Sequence, residues 1–269
     1  MVSLVLPRLL NQQNPIRRSL SVAERNVAAL KSSYWLVLIS GFFEPLLYLL
    51  SIGVGVGALI GTLTLPDGRA VEYAAFVAPA MLASSAMSGA LAETTYNFFG
   101  KMKYLRLYEG VIATPVQPIE IALGELGWAM LRGTLYSAAF LGVMVAMDLT
   151  NAQRAVTAFP AAVLIGVAFG ALGMALATFM RSWQDFDLMA SAQFALFLFS
   201  GTFVPAESYP AALRWLVEVT PLYRSVDLVR GITLGGAGWG QVVDVGYLLV
   251  ASAVGVWVAG RRMGRLLCK

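Results

Sequence analysis

The sequence predicts an all-α polytopic membrane protein with six transmembrane helices, on three observations. Of its 269 residues, 58% are hydrophobic and only 13% charged, about half the charged share of an ordinary soluble domain, and the mean hydropathy is +0.73. The apolar residues gather into six stretches, each comparable to the roughly 20 residues needed to cross a bilayer core. Thirteen Lys and Arg residues fall on one set of connecting segments and five on the other, the asymmetry expected between cytoplasmic and outer loops. The chain therefore reads as a single transmembrane domain over 1–269, with both termini in the cytoplasm.

The elements follow in order. Residues 1–33 carry Arg8, Arg17, Arg18, Arg25 and Lys31 but no apolar run long enough for the core of a cleavable signal peptide. After Pro15, the residues Ile16, Leu20, Ala23, Val27 and Leu30 recur at helical spacing with charges between them, predicting an amphipathic helix along the membrane surface. A solvated helix is the plainer alternative. The first span is expected at 34–60, and a turn with Pro66, Asp67 and Gly68 leads to a second at 71–95. A polar, basic segment at 96–118 precedes the third span at 119–147, and Asp148, Thr150, Asn151 and Arg154 lead to the fourth at 155–180. Arg181, Asp185 and Asp187 mark a tight return to the fifth span, 188–204, which ends at Pro205. The sixth, 240–260, is followed by Arg261, Arg262, Arg265 and Lys269. In the outer segment 205–239, Arg214, Arg224 and Arg230 are matched by Glu207, Glu218 and Asp227, so it does not oppose this orientation.

Composition excludes several chemistries. The chain has no histidine, which removes Ser-His and Cys-His nucleophilic pairs, HExxH zinc sites and His-ligated haem together. Cys268 is the only cysteine; it forms no intrachain disulfide and sits too late for a C-a-a-X prenylation box. The net charge of +4 is accounted for by the cytoplasmic loops rather than by nucleic acid. There is no G-x-x-x-x-G-K-[ST] loop to cradle phosphates.

Four features could carry mechanism. Gly53, Gly57 and Gly61 recur every four residues in the first span, as Gly166 and Gly170 do in the fourth; such ridges serve close helix packing, within one chain or between two copies. Glu44 lies inside the first span beside the helix-weakening Pro45, and Glu125 and Arg132 share a face of the third span with Trp128 between them. Charges in a bilayer usually face a bundle interior or a cavity, either paired structurally or lining a hydrophilic path. In the 96–118 segment, Phe98, Met102, Leu105, Tyr108 and Ile112 form a helical stripe, with Lys101, Lys103, Arg106 and Glu109 around the axis and a stop at Thr114 and Pro115. It suits anionic lipid headgroups and partner docking equally. Between spans five and six, Pro205, Pro210 and Pro221 divide two short helices too brief to span, the geometry of a re-entrant hairpin or outer cap.

Three stretches resemble a known family, the ABC-transporter permeases of the type-2 class, and most closely the NodJ-like branch of lipooligosaccharide and antibiotic exporter permeases. They are Phe43-Glu44-Pro45-Leu46-Leu47-Tyr48-Leu49; Tyr108-Glu109-Gly110-Val111-Ile112-Ala113-Thr114-Pro115 with Leu123-Gly124-Glu125-Leu126; and Ser200-Gly201-Thr202-Phe203-Val204-Pro205 with Thr220-Pro221-Leu222-Tyr223 and Leu228-Val229-Arg230-Gly231. Val204 stands where similar permeases often have a second phenylalanine before the proline. The resemblance implies six spans, an N-terminal surface helix and a cytoplasmic coupling helix. It also implies two permease chains, identical or related, assembled with two ATP-binding subunits for export from a bacterial plasma membrane. ATP and Mg would then be bound by the partner ATPase, with no cofactor in this chain. By the same route Phe98, Phe99, Met102, Leu105, Tyr108, Glu109 and Gly110 become candidates for ATPase coupling, and Glu44, Glu125 and Arg132 for the translocation path. Phe203, Pro205, Pro221, Leu222 and Tyr223 become candidates for an external gate.

The expected function is a permease subunit exporting an amphipathic molecule: a lipid-linked oligosaccharide, a glycolipid or a drug. A proton-coupled secondary transporter or channel using Glu44 and Glu125 is the alternative, but no self-similarity between halves around residue 134 supports the inverted repeats common in that class. A membrane enzyme fares worse, since a rhomboid-type Ser-His pair and a G-x-G-D motif are both missing.

Overall fold

The computed structural model describes residues 15–29, 43, 46–47, 49–65, 68–236 and 238–267. Its helices are α1 (Pro15–Ala29), α2 (Leu49–Ile60), α3 (Tyr73–Tyr104), α4 (Leu107–Ile112), α5 (Pro118–Ala146), α6 (Ala152–Ala177), α7 (Asp185–Leu198), α8 (Ala211–Val219), α9 (Pro221–Leu234) and α10 (Trp239–Leu267). Strands β1 (Thr62–Thr64) and β2 (Ala70–Glu72) pair antiparallel, with Leu63 opposite Val71. Among the described residues, four helices, α3, α5, α6 and α10, are long and apolar enough to cross a membrane, so the chain is a helical multi-pass membrane protein.

Local chemistry sets the helix starts. Pro118 opens α5, where a proline costs no hydrogen bond, and Gln117 with Glu120 forms a reciprocal cap in which the Gln117 backbone N–H donates to Glu120 Oε2 at 2.8 Å. Asn151 caps α6 by accepting from the Arg154 N–H at 2.8 Å. The Asp185 carboxylate accepts from the backbone N–H groups of Arg181 (2.6 Å) and Ser182 (3.3 Å), closing the return into α7. Those two hydrogen bonds hold its pKa below the usual carboxylate value.

At the centre stands α6, packed against α3, α5, α9 and α10. Its buried residues are mostly Ala and Gly, which allow the neighbouring backbones to close in. A Cβ on Gly173 would stand 2.7 Å from both Leu91 and Thr94 of α3; one on Gly255 of α10 would stand 2.6 Å from the backbone carbonyl carbon of Ala171. On α10 the buried positions Asp244, Leu248, Ser252, Gly255, Ala259 and Met263 recur every three or four residues. The opposite face, with Val243, Val250 and Trp257, is exposed and suits lipid.

The helices do not coincide with the expected spans. The helix of the second stretch, α3, runs on past residue 95 to Tyr104, its last turns at Ala92–Asn97 and Gly100–Tyr104 wound wider in π form. That of the sixth likewise continues past Gly260 to Leu267. In the fifth stretch, expected at 188–204, α7 ends at Leu198 and is 14 residues or about 21 Å long, before Gly201 turns left-handed at φ 69°. Of the first span only α2 is described; Glu44 and Pro45 lie outside the described residues, as does Cys268. Of the turn expected at Pro66, Asp67 and Gly68, the first two lie outside the described residues, while strands β1 and β2 pair on either side of it. Gly166 and Gly170 meet Met130 and Leu126 of the same chain, the intrachain use of that ridge. Gly61 serves a turn at φ 71° rather than a packed face.

The contrast between two glycines of α10 gives a test. Gly255→Ala pushes a methyl into the α6 backbone and should destabilise the bundle by about 1–3 kcal/mol. Gly246→Ala, with nothing within 4 Å, should stay within about 0.5 kcal/mol. Reversible unfolding in mixed micelles measures both.

Candidate functional site

At the end of the bundle where α3 leaves it, three segments converge on one carboxylate. Glu125 of α5 is buried, with 4% of its side chain exposed. Its Oε2 accepts from Lys101 Nζ at 2.6 Å and from the Asn26 side-chain amide at 2.9 Å, and its Oε1 from an Arg25 guanidinium N–H at 3.0 Å. One acid thus joins α1, α3 and α5. A turn and a half earlier on α5, Glu120 Oε1 lies 3.2 Å from Arg18 Nε, and Arg18 also donates to the Pro115 carbonyl at 2.5 Å. Between the two acids, Gly124 admits the backbone of α1: a Cβ there would stand 2.5 Å from the Ser19 carbonyl oxygen and 2.6 Å from Val22 Cβ.

The face of α1 that docks is therefore small and polar, with Val22 and Asn26 buried. Leu20, from the predicted apolar stripe, is 54% exposed on another face. Leu20 therefore lies away from the face that seats on Gly124.

Arg132 belongs to a different network. Its guanidinium pairs with Glu93 of α3, donates to the Tyr136 hydroxyl at 3.0 Å, and leaves Glu93 also accepting from the Asn97 amide at 3.0 Å. Glu125 and Arg132 do share a face of α5, but seven residues, about 10 Å of helix rise, separate them. The acids and cations nearer to each satisfy it. Spacing along one helix could not find those partners, which come from α1 and α3.

The 98–112 stripe is not one helix. Arg106 adopts a left-handed conformation, φ 45°, and breaks the chain between α3 and α4. Phe98, Phe99 and Tyr108 are fully buried and Met102 nearly so, packed with Ile121, Met174 and Met263 of the same chain. Phe99 meets Trp183 and Phe186 edge-on at 5.3 and 5.1 Å, while Tyr104 stacks on Trp183 at 5.4 Å. These aromatics fasten the end of α3 to the return before α7. Of the coupling candidates, Leu105 (71% exposed), Glu109 and Gly110 remain on the surface, beside Lys103, Tyr104 and Arg106. Burial and the adjacent Glu125 charge push the Tyr108 hydroxyl well above its ordinary pKa, so it stays a neutral phenol.

At the other end, the gate candidates are mostly built into the bundle. Thr220 ends α8 and caps α9, accepting from the Tyr223 N–H at 3.3 Å; Pro221 is the first residue of α9 and Leu222 is fully buried. Pro205 opens a single tight turn, and its carbonyl accepts from the Ser208 N–H. Phe203 sits edge-on to Phe197 at 5.4 Å, and its carbonyl accepts from the Tyr73 hydroxyl at 3.3 Å. Gly201 stands where a Cβ would touch the Tyr223 ring at 3.4 Å. Arg230 locks these pieces together: it donates to the carbonyls of Gly201 (2.9 Å) and Phe76 (3.3 Å) and lies 3.8 Å over the Phe76 ring. Arg224 pairs with the buried Asp244 of α10 at 3.2 Å. By contrast, α8 keeps Trp215, Leu216 and Val219 exposed.

Replacing Glu125 with Gln leaves Arg25 and Lys101 facing each other without an anion. Both cations are partly exposed, which moderates the effect, so a loss of about 1–3 kcal/mol is expected. Trypsin cleavage within α1 should rise while the four long helices stay intact. A digestion pattern unchanged from the parent would show that Glu125 does not hold α1.

Comparison with known proteins places this architecture. Residues 19–234 match the ABC-2 type transporter family. Nodulation protein J of Rhizobium leguminosarum bv. trifolii is 34% identical over 227 residues, covering 84% of this chain and 83% of that protein. Nodulation protein J of Rhizobium leguminosarum bv. viciae is 30% identical over 252 residues, covering 93% and 95%. Inner membrane transport permease YadH of Escherichia coli (strain K12) is 25% identical over 202 residues, 73% of each chain. With a family match over most of its length and relatives of this similarity along the same bundle, the chain belongs to the ABC-2 type transporter family.

Proposed function

We propose that this chain is the permease subunit of an ATP-driven exporter that moves an amphipathic substrate, such as a lipid-linked oligosaccharide, a glycolipid or a drug, out of the cytoplasm or inner leaflet of a bacterial plasma membrane. Both termini lie in the cytoplasm. The chain acts with a separate ATP-binding subunit, which supplies ATP and Mg, and with a second permease chain, identical or related. It hydrolyses no ATP itself.

The observation that supports this reading best is the knuckle at residues 103–110. Its outer side chains are exposed while its roots, Phe98, Phe99 and Tyr108, are buried in the chain's own core, and the adjoining Lys101 is tied to Glu125. A surface fixed in this way transmits a push from a partner into α1, α3 and α5 rather than absorbing it. Leu105, Glu109 and Gly110 are the contact residues, and Phe98, Phe99, Met102 and Tyr108 are the base that holds them. Glu125 and Arg132 keep the helices around the path in register, and Glu44 remains a candidate to line it. The segment with Phe203, Pro205, Pro221, Leu222 and Tyr223 closes the outer end, its α9 half anchored by Arg230 and its α8 half more loosely held. No observation favours the proton-coupled reading, since Glu125 and Glu93 are each held by cations.

Leu105→Asp places a charge on an exposed residue and leaves the fold alone, so melting should be unchanged while co-purification of the cognate ATPase falls at least tenfold. Wild-type amounts of bound ATPase would overturn the docking assignment. Topology is tested by thiol labelling: a cysteine at Ser208 should react with an impermeant reagent in intact cells, and one at Lys103 only after cells are opened. The reverse pattern would invert the proposed orientation.

A further inference from the structure

The knuckle, the return after α6 and the end of α10 enclose a cleft of about 390 Å³. Lys103, Arg106, Arg181 and Arg262 line it, with Glu109 as its one acid; Phe179 and Leu266 contribute apolar surface. We propose that this cleft binds the phosphate headgroup of an anionic phospholipid.

Charge carries the inference first. Four cations share a small space with one lining carboxylate, Glu109, and with Asp185 close to Arg181 and Lys103, so the charge around the cleft stays positive by two; the pair Glu109 makes with Arg106 at 3.8 Å is exposed on both sides and contributes little. Like charges held this close favour a bound anion. The cations are also not all loose. Arg262 is oriented from behind, its Nε donating to Thr178 Oγ1 and its Nη2 to the Thr178 carbonyl, both at 3.2 Å, with the guanidinium 3.6 Å over Phe179. Two of its five N–H groups are used in this way, and a guanidinium matches the geometry of a phosphate. Arg181 is held at its backbone, its own N–H donating to Asp185 at 2.6 Å.

Depth and shape then select a lipid over a soluble anion. Arg261 lies 4.9 Å over Trp257 one turn earlier on α10, an amphipathic ring and a cation at the level where such pairs mark the membrane interface. In the proposal the cleft opens toward the headgroups, with Phe179 and Leu266 exposed beside it to accompany the first acyl segment. A volume of this size is at the low end for small-molecule sites. The inference rests on the membrane placement of the long helices and not on the export reading.

The purified full chain, titrated with phosphatidylglycerol or with phosphatidylcholine of the same acyl length, is to be followed by native mass spectrometry. Phosphatidylglycerol should be retained in preference. The double variant Lys103→Gln, Arg106→Gln should weaken that retention by about 30-fold, as expected for two cations near a membrane surface, and Arg262→Gln should weaken it too. Lys103 and Arg106 are exposed, so the double variant should melt like the parent. Equal retention of the two lipids, or retention unchanged in both variants, would overturn the proposal. Displacement of the lipid by millimolar inorganic phosphate would do so as well, by assigning the cleft to free anions. Unchanged lipid retention in the double variant combined with lost ATPase co-purification would give the cleft to an acidic surface of the ATPase instead.

Discussion

The carboxylate of Glu125 sits where three otherwise separate pieces of chain meet, and each brings it a donor. A lone ionised acid buried at this depth would be strongly disfavoured; surrounded by Arg25, Lys101 and Asn26 it becomes a point of assembly. The energy is only part of its role. Because its partners come from residues 25, 26 and 101, the node fixes the angle of α1 against α5 and the height at which α3 leaves the bundle. Gly124 makes the geometry feasible by letting α1 approach within backbone distance. The aromatic cluster of Phe99, Tyr104, Trp183 and Phe186 then secures the same stretch of α3 from its other side.

The opposite end of the bundle solves a similar problem with different chemistry. There the half-buried cation is Arg230, and it is met by two carbonyl oxygens and a ring face. The Gly201 carbonyl reaches it where Gly201 turns the chain out of α7 in a conformation open to few other residues, and the Phe76 carbonyl comes from α3. The consequence is an asymmetric outer segment: α9 is a core helix, while α8 exposes Trp215 and Leu216. In the proposed exporter this leaves one half of the outer closure free to shift while the other stays seated.

Much of the architecture was legible in the sequence because bilayer physics writes it in long apolar runs. Helices α5 and α10 begin within a residue of where the third and sixth apolar stretches were expected to start, and the prolines at 205, 210 and 221 foretold the two short helices α8 and α9. What composition could not reveal were partners between elements. Glu125 and Arg132 look like mates on a helical wheel, yet their true partners, Arg25 with Lys101 and Glu93, are 24 to 100 residues away in sequence. The 98–112 stripe looked like a docking face because burial against the chain's own core and burial against another protein leave the same periodicity. Only the left-handed Arg106, which nothing in local sequence announces, separates the buried root from the exposed tip.

The length of α3 has one more implication. At 32 residues it is about 48 Å long at 1.5 Å per residue, some 18 Å more than the hydrocarbon core it crosses. In the proposed exporter it would serve as a lever hinged at its outer end near Phe76, where Arg230 holds it, with its long arm ending at the knuckle. A tilt of about 6° about its outer end would sweep Tyr104 by roughly 5 Å at that length, and the same ratio run backwards turns a displacement at the tip into a small, forceful rotation near Phe76. The loosely wound π turns at residues 92–97 and 100–104 lie on the long arm, where a little give would set how much of the stroke reaches the outer end.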